Sequence, residues 1–338
     1  MASDTRLTLL DFYKARDPDG SQAQAVELMN QFNPILRDAP ALPTNAPLGN
    51  RTTFTRSLPS VGTAKINRGV TRSKSTTDQR IDALGYFAGR SEIDSRIRKM
   101  VGADAFNRRR MDEDNRFEEA FAQYVAQVSF YGNLASDEAS FDGLGTRMGT
   151  LNPGTDLTAS QVWSMGTVTG GDGTSLYIVD WGERTCFLGY PQNAAGGLDV
   201  EDKGEQNVND VDGNPMFAYV SVYDWFCGLV VKDPRRIARL ANIDLSDALA
   251  GGATQGILID KLEQIMARMP TPPRGDEVVG RRVLYCATAL WAAFTKQARS
   301  QSNQALSIQD YLGQPTPHFW GHPVVQCDQV STTEPTVS

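Results

Sequence analysis

The chain is poor in the residues from which catalytic and metal sites are built. It has two histidines, His318 and His322, and its four cysteines stand singly along 338 residues. Structural zinc sites need clustered Cys and His ligands, and no such cluster occurs in the sequence. We therefore expect the cysteines to be small buried hydrophobic residues.

Signatures of other reactive or ligand-binding sites are missing as well. The sequence has no G-K-[ST] phosphate loop and no G-x-S-x-G nucleophile motif. The acidic stretch at residues 210–214 lacks the distal glutamate of a calcium loop. We predict no catalytic, cofactor-binding or metal-binding residue, and hence no enzyme.

Long apolar segments are absent too. No run of residues approaches the ~18 apolar positions that a membrane span needs. The first 20 residues have no basic stretch followed by an apolar core, so they do not resemble a secretory signal. We expect a protein that folds in a cytoplasm and has no membrane partner.

Charge is present but unevenly distributed. The chain has a net charge of −7, yet residues 50–110 hold 14 basic and 5 acidic side chains, which gives +9 there and −16 elsewhere. This asymmetry suggests copies that attract one another, or nucleic acid nearby. The basic run at residues 108–110 would suit DNA phosphates, but a solvated charged face explains the charge equally well.

Residue patterns predict an α+β protein that begins with an arm at residues 1–48. A short amphipathic helix is expected over residues 21–32, and prolines then keep the chain extended. Residues 51–58 and 76–86 are predicted strands with few apolar side chains. Such a two-stranded ribbon is marginal alone, so this region is either disordered or lies on another subunit, and its β-branched residues favour the second.

A long helix is predicted over residues 104–131, which contain no Gly or Pro. Such a helix would be ~40 Å long. We predict one apolar stripe, formed by Met111, Phe117, Phe121, Tyr124, Val125 and Val128. We place charged and polar residues opposite it, namely Arg110, Glu113, Asp114 and Gln123.

The second half of the chain is predicted to alternate strands and helices. Strands are expected at residues 175–181 and 216–231, with an acidic hairpin at 197–214 between them. A short helix is predicted at 235–242 and longer helices at 256–269 and 288–299. Further strands are expected at 282–286 and at 318–325, the second interrupted by Pro323.

A series of short motifs follows in order from residue 7 to about 245. The motifs are Leu7-Thr8-Leu9-Leu10-Asp11, Asp17-Pro18-Asp19-Gly20, Leu58-Pro59-Ser60-Val61, Ser73-Lys74-Ser75-Thr76-Thr77, Phe130-Tyr131-Gly132-Asn133, Phe141-Asp142-Gly143-Leu144, Trp181-Gly182, Tyr190-Pro191, Gly197-Leu198, Tyr223 with Trp225, Gly228-Leu229-Val230-Val231 and Arg239-Leu240-Ala241-Asn242-Ile243. Together they resemble the motifs of tailed-bacteriophage major capsid proteins with the Hong Kong 97-type fold. Their order carries the likeness more than any one of them does.

The resemblance implies a segment order. It implies an N-terminal arm at 1–48 and a two-stranded E-loop at 49–90 that lies across a neighbouring subunit. A peripheral domain at 91–248 would contain the spine helix 104–131 and the long strand 216–231. An apical domain at 249–330 and a C-terminal tail at 331–338 would follow. Because the family's long peripheral strand usually comes last, we expect a rearranged element order.

The resemblance also implies partners. Copies would form hexamers and pentamers of an icosahedral shell around double-stranded DNA, which would be contacted without sequence preference. A separate scaffolding protein and a portal would act with it, with or without a decoration protein, in virions assembled in the host cytoplasm. No crosslinking role is carried over to Lys65 or Lys74.

Charge and position predict which residues meet between subunits. On the basic side these are Arg51, Arg56, Lys65, Arg68, Arg72 and Lys74. On the acidic side they are Asp199, Glu201, Asp202 and Glu205. The alternatives left open are a soluble α+β enzyme of unidentified chemistry and a non-specific DNA-binding module.

Overall fold

The computed structural model describes residues 33–156, 158–168, 171–194, 196–250, 253–270, 281–299, 306–311 and 313–338. Its helices, in chain order, are α1 Ile35–Asp38, α2 Ser95–Val101, α3 Ala103–Tyr131, α4 Leu144–Arg147, α5 Leu245–Ala250, α6 Ala253–Arg268 and α7 Thr288–Ala298. Its strands are β1 Ala41–Pro43, β2 Gly49–Ser57, β3 Thr76–Ala83, β4 Gly85–Asp94, β5 Gln161–Ser164, β6 Gly173–Trp181, β7 Cys186–Tyr190, β8 Leu198–Asn209, β9 Pro215–Val231, β10 Ile237–Asp244, β11 Arg281–Cys286, β12 Leu306–Tyr311, β13 Gln314–Phe319 and β14 His322–Gln326.

The chain divides into two compact units. The helix–ribbon unit includes Tyr86–Val125 and Ala195–Phe226, and the sheet unit includes Phe32–Gly85, Ala126–Ala194 and Cys227–Ser338. Both α3 and β9 therefore contribute residues to each unit. The predicted mixture of helices and strands is confirmed.

The sheet unit is built around β6, which is buried along its whole length. Strands β10 and β11 flank it in antiparallel pairing, with β5 beyond β10 and β14, β13 and β12 beyond β11. Helices α6 and α7 cover this sheet with Leu262, Ile265, Leu290 and Phe294, which pack on a core that includes Ile178. Burial on both faces is consistent with the apolar run at residues 176–179 in the middle of β6.

The helix–ribbon unit packs one long helix against antiparallel strands. The ring of Phe117 on α3 stacks on Tyr223 of β9 with centroids 4.6 Å apart, and Phe106 lies 5.1 Å from Tyr219. Strand β8 pairs with residues 215–225 of β9, and the chain reverses at Asp210, whose carboxylate accepts the Asn214 N–H at 2.7 Å. This pairing forms the ribbon predicted as an acidic hairpin.

Several predicted elements are confirmed, and two are wrong. The long helix, the strand at 216–231 and the two strands of the basic segment agree to within a few residues, although Tyr86 belongs to β4. Residues 235–242 do not form a helix: after a short turn at Pro234–Arg236 they enter β10, which is buried on both faces between β5 and β6. Residues 318–325 form two strands, because a turn at Trp320 and Gly321 separates β13 from β14.

The arm is described from residue 33 onward, so the predicted helix at 21–32 lies outside the described residues. Within the sheet unit, Ile35 is fully buried and β1 pairs in parallel with β7. This part of the arm is anchored to its own subunit. No helix in the described ranges is long and apolar enough to cross a bilayer.

Candidate subunit interface

Strands β2 and β3 form a two-stranded hairpin, here called the basic hairpin. They pair from Gly49 with Ala83 to Ser57 with Thr76, with a register shift after Thr55. Residues 58–75 connect them and form the tip, in which every residue is exposed. The tip includes four large aliphatic side chains, with exposed fractions of 82% for Leu58, 94% for Val61, 93% for Ile66 and 70% for Val70.

All six predicted basic contact residues lie on this hairpin and are exposed. They are Arg51, Arg56, Lys65, Arg68, Arg72 and Lys74. The tip contributes four of these cations and contains no acidic residue. Among described residues, Arg56 pairs with Asp78 at 3.5 Å, and the other five form no ion pair. Whether the six residues meet another copy stays a prediction.

The root of the basic hairpin differs sharply from the tip. Asn50 and Asp82 are paired across the two strands, and both are buried. Burial raises the pKa of the Asp82 carboxyl, although the nearby Arg80 guanidinium and the Val231 N–H oppose this shift. A Cβ added to Gly49 would lie 2.5 Å from the Asp82 carbonyl oxygen, so the two strands meet there without space for a side chain. The hairpin is therefore fixed at one end and unsupported at the other.

The four predicted acidic contact residues lie on β8 and are exposed. Two of them are already paired inside the subunit: Asp202 with Arg110 at 2.6 Å, and Glu201 with Lys203. The hydrogen bond from Arg110 lowers the pKa of Asp202. Asp199 and Glu205 form no ion pair with a described residue and remain available.

Sequence reasoning misplaced the polar side of α3. Arg110 and Asp114 were predicted to lie opposite the apolar stripe, but Arg110 donates to Ser221 at 2.8 Å and Asp114 accepts from the Tyr223 hydroxyl. Both therefore face β9 together with Phe117. Met111, predicted in the stripe, is 66% exposed. The spacing 110, 114, 117, 121 is itself helical, and this signal was hidden because two of its members are charged.

Reactive side chains in the described residues are used in packing. All four cysteines are buried and unbridged, and burial raises the pKa of the Cys227 thiol to about 12. His318 is buried with Nδ1 at 2.9 Å from the Thr316 carbonyl oxygen. Within the described ranges, no group of three or more His, Cys, Asp or Glu side chains is placed to hold a metal ion.

Comparisons with solved structures place this fold among phage shell proteins. A chain from the near-atomic structure of bacteriophage epsilon15 is 26% identical, with a TM-score of 0.75, and the match covers 100% of this chain and 99% of that one. Weaker similarity extends to the bacteriophage JBD30 capsid, at 12% identity, a TM-score of 0.48 and coverages of 88% and 90%. The capsid of an empty GTA particle is 10% identical, with a TM-score of 0.44 and coverages of 70% and 98%.

Comparison of the sequence with protein-family models identifies the family of this chain. The family model for the major capsid protein GP7 matches residues 17–338, and the chain belongs to that family. No match was found among curated proteins. The predicted resemblance to phage major capsid proteins of the Hong Kong 97 type is thus confirmed, and the protein is a structural component of the virion shell.

Proposed function

We propose that copies of this chain assemble into the hexamers and pentamers of an icosahedral shell that encloses double-stranded DNA. The observation that supports this best is the tip of the basic hairpin. It exposes four large aliphatic side chains and four cations over 18 residues, and the described part of its own subunit gives it no core. A second copy that covers the tip would supply the missing burial.

Burial of the aliphatic side chains would provide the driving force. Fully burying a Val, Leu or Ile side chain is worth about 1.5–3 kcal/mol. Burial of Leu58, Val61, Ile66 and Val70 would offset part of the cost of ordering the loop. The contact would be repeated once per subunit, and symmetry would sum many modest interfaces into a stable shell.

Complementary charge would determine which surface of a neighbouring copy the tip contacts. We propose the acidic face of β8 in a neighbouring copy, with Asp199, Glu201, Asp202 and Glu205 as contacts. Asp199 and Glu205 are the strongest candidates, because the other two already pair with Arg110 and Lys203. Exposed complementary charges add orientation and association rate more than affinity.

The family's segment names carry over as part of the proposal. The arm would be 1–48, the E-loop 49–90, the peripheral domain 91–248, the apical domain 249–330 and the tail 331–338. The hairpin itself ends at Ala83, so β4 would belong with the peripheral elements. The rearranged element order remains a prediction.

Other partners follow from the same proposal. A separate scaffolding protein and a portal would join the shell during assembly in the host cytoplasm, with or without a decoration protein. Packaged DNA would touch it through phosphates without sequence preference. The subunit would need no cofactor and would catalyse no reaction.

The test is to replace residues 58–75 with a short turn and to examine assembly by negative-stain electron microscopy. We expect a folded subunit, judged by circular dichroism, that forms no shells. Restoring the 18-residue length with a Gly/Ser sequence is the matched control, and it too should fail, because length is kept while the aliphatics and cations are lost. Normal shells from either variant would contradict the proposal.

A further inference from the structure

The root of the basic hairpin contains a buried ion pair. The Arg147 guanidinium donates from Nη1 to Asp82 Oδ1 at 2.7 Å, and both side chains are buried. Arg80 Nε lies 3.1 Å from the same oxygen. The second oxygen, Oδ2, accepts the Val231 N–H at 3.1 Å. Three donors therefore converge on one carboxylate at the end of β3.

Arg147 joins the hairpin to two further segments of the sheet unit. Its Nε donates to the Asp142 carbonyl oxygen at 2.8 Å, and its Nη2 donates to the Leu229 carbonyl oxygen at 2.9 Å. One planar guanidinium thus holds β3, the loop before α4 and the end of β9. A lysine ammonium, which donates from a single nitrogen, could not reach these three separate acceptors at once.

The backbone packs closely at the same place. A Cβ added to Gly228 of β9 would lie 2.7 Å from the Ala83 carbonyl oxygen and 3.0 Å from Leu84 Cα. The last residues of the hairpin are therefore pressed against β9, one residue before the strand segment that binds Arg147. Beyond this point β2 and β3 pair with one another alone among the described strands.

We propose that Asp82 and Arg147 form a clamp that sets the direction in which the basic hairpin leaves the subunit. The clamp positions the tip and does not touch the partner. A hairpin anchored through a few residues would otherwise pivot at its root, and its tip would sample many directions. The consequence for assembly rests on the proposed function, whereas the clamp itself is a property of the single subunit.

The direct test is hydrogen–deuterium exchange on the unassembled subunit, comparing Asp82→Ala with wild type. We expect amides at the root, near residues 49–52 and 80–84, to exchange at least tenfold faster, while β6, β10 and β11 stay protected. Asp78→Ala is the matched control, since Asp78 lies on the same strand, is exposed and faces only Arg56 among its described ion-pair partners. Unchanged exchange at the root in Asp82→Ala would overturn the proposal. So would loss of protection throughout the sheet unit, because the pair would then support the body.

Arg147→Lys separates directed bonding from charge. Lysine keeps the positive charge but cannot bond Asp82, Asp142 and Leu229 together, so we expect root exchange to accelerate as in Asp82→Ala. Wild-type exchange in Arg147→Lys would show that charge alone suffices and would refute the clamp. In assembly, Asp82→Ala should slow shell formation at least tenfold although its tip is intact. Normal assembly of the tip-replacement variant would refute the proposed function and leave the exchange result to decide the clamp.

Discussion

The subunit contains two long antiparallel ribbons that differ in charge and in support. The basic hairpin, β2 with β3, has seven cations and two acids over residues 49–83. The ribbon of β8 with β9 has six acids and one lysine over residues 197–214. The acidic ribbon rests on α3 through Tyr219, Ser221 and Tyr223. Along the distal part of the basic hairpin, no described helix or strand gives comparable support.

The two ribbons therefore differ in what would stabilise them: folding of the subunit for the acidic ribbon, and assembly with another copy for the tip of the basic hairpin. The acidic ribbon is ordered by its own subunit, since one of its faces is covered by a helix of the same chain. Among the described residues, the basic hairpin is supported by its own subunit at its root, where the side chains of Asp82 and Arg147 are buried. Its tip therefore has surface available for another copy, and the acidic ribbon provides charge of the opposite sign.

The largest effect should come from removing the support of the acidic ribbon. Tyr223→Ala deletes a fully buried ring that stacks on Phe117 and bonds Asp114. We expect a loss of about 3–5 kcal/mol in the free energy of unfolding. Ile66→Ala at the tip should change it by less than about 0.5 kcal/mol. Urea denaturation followed by circular dichroism measures both.

Tyr223→Phe is a milder substitution that tests the same contact if Tyr223→Ala does not fold. It keeps the stacked ring and removes only the hydroxyl, so the cost should fall to about 1–3 kcal/mol, mainly from the unpaired Asp114. If Ile66→Ala also lowered the free energy of unfolding by about 3–5 kcal/mol, both ribbons would be supported within the subunit.

An intermediate effect is expected from charge reversal on the basic hairpin. Changing Arg51, Arg56 and Arg72 to Glu should slow assembly at least tenfold at low salt, because the net charge of the basic hairpin over residues 49–83 would change from +5 to −1 and its attraction to the acidic ribbon would be lost. Far-UV circular dichroism should not change. Light scattering gives the assembly rate, and added salt should reduce the difference between variant and wild type.

A change of the same three residues to Gln provides the matched control. It removes three positive charges without adding negative ones, so its assembly rate should fall between those of wild type and the Glu variant. Assembly of the Glu variant at the wild-type rate would mean that the charge asymmetry is a solvated face.

The smallest effect concerns Asp202. Its pKa is lowered mainly by the hydrogen bond from Arg110, so its stabilising contribution is present above the ordinary carboxyl pKa and is lost as pH falls through the lowered value. Because Asp202 is largely exposed, Asp202→Asn should cost only about 0.2–1 kcal/mol at neutral pH and nothing once Asp202 is protonated. Asp199→Asn is the matched control, because Asp199 forms no ion pair with a described residue, and it should cost less at neutral pH than Asp202→Asn. Thermal unfolding across the acidic range measures both, and a constant difference for Asp202→Asn would exclude the ion pair as its cause.

Local patterns in the sequence predicted most elements of the fold. An uninterrupted stretch without Gly or Pro marked α3, and an aromatic, β-branched run marked β9. The same logic failed at residues 235–242, where residues compatible with a helix are drawn into β10 by pairing with β5 and β6. Tertiary pairing outweighed local preference there.

The candidate interface was only partly predictable. Charge composition located the basic hairpin and the acidic ribbon, because both are continuous in sequence. The clamp was missed, since Asp82 and Arg147 are 65 residues apart and neither belongs to a recognisable motif. Pairing of Asp202 with Arg110 was missed for the same reason. Together with the pairing of Glu201 and Lys203, it leaves Asp199 and Glu205 as the predicted acidic contacts without an ion pair to a described residue.

The central claim is that another copy orders the tip of the basic hairpin. Hydrogen–deuterium exchange of residues 58–75, compared between free subunits and purified shells, tests this most directly. We predict fast exchange in free subunits and protection of at least a hundredfold in shells, while the acidic ribbon's paired amides are protected in both. Equally fast exchange of the tip in both states would contradict the account.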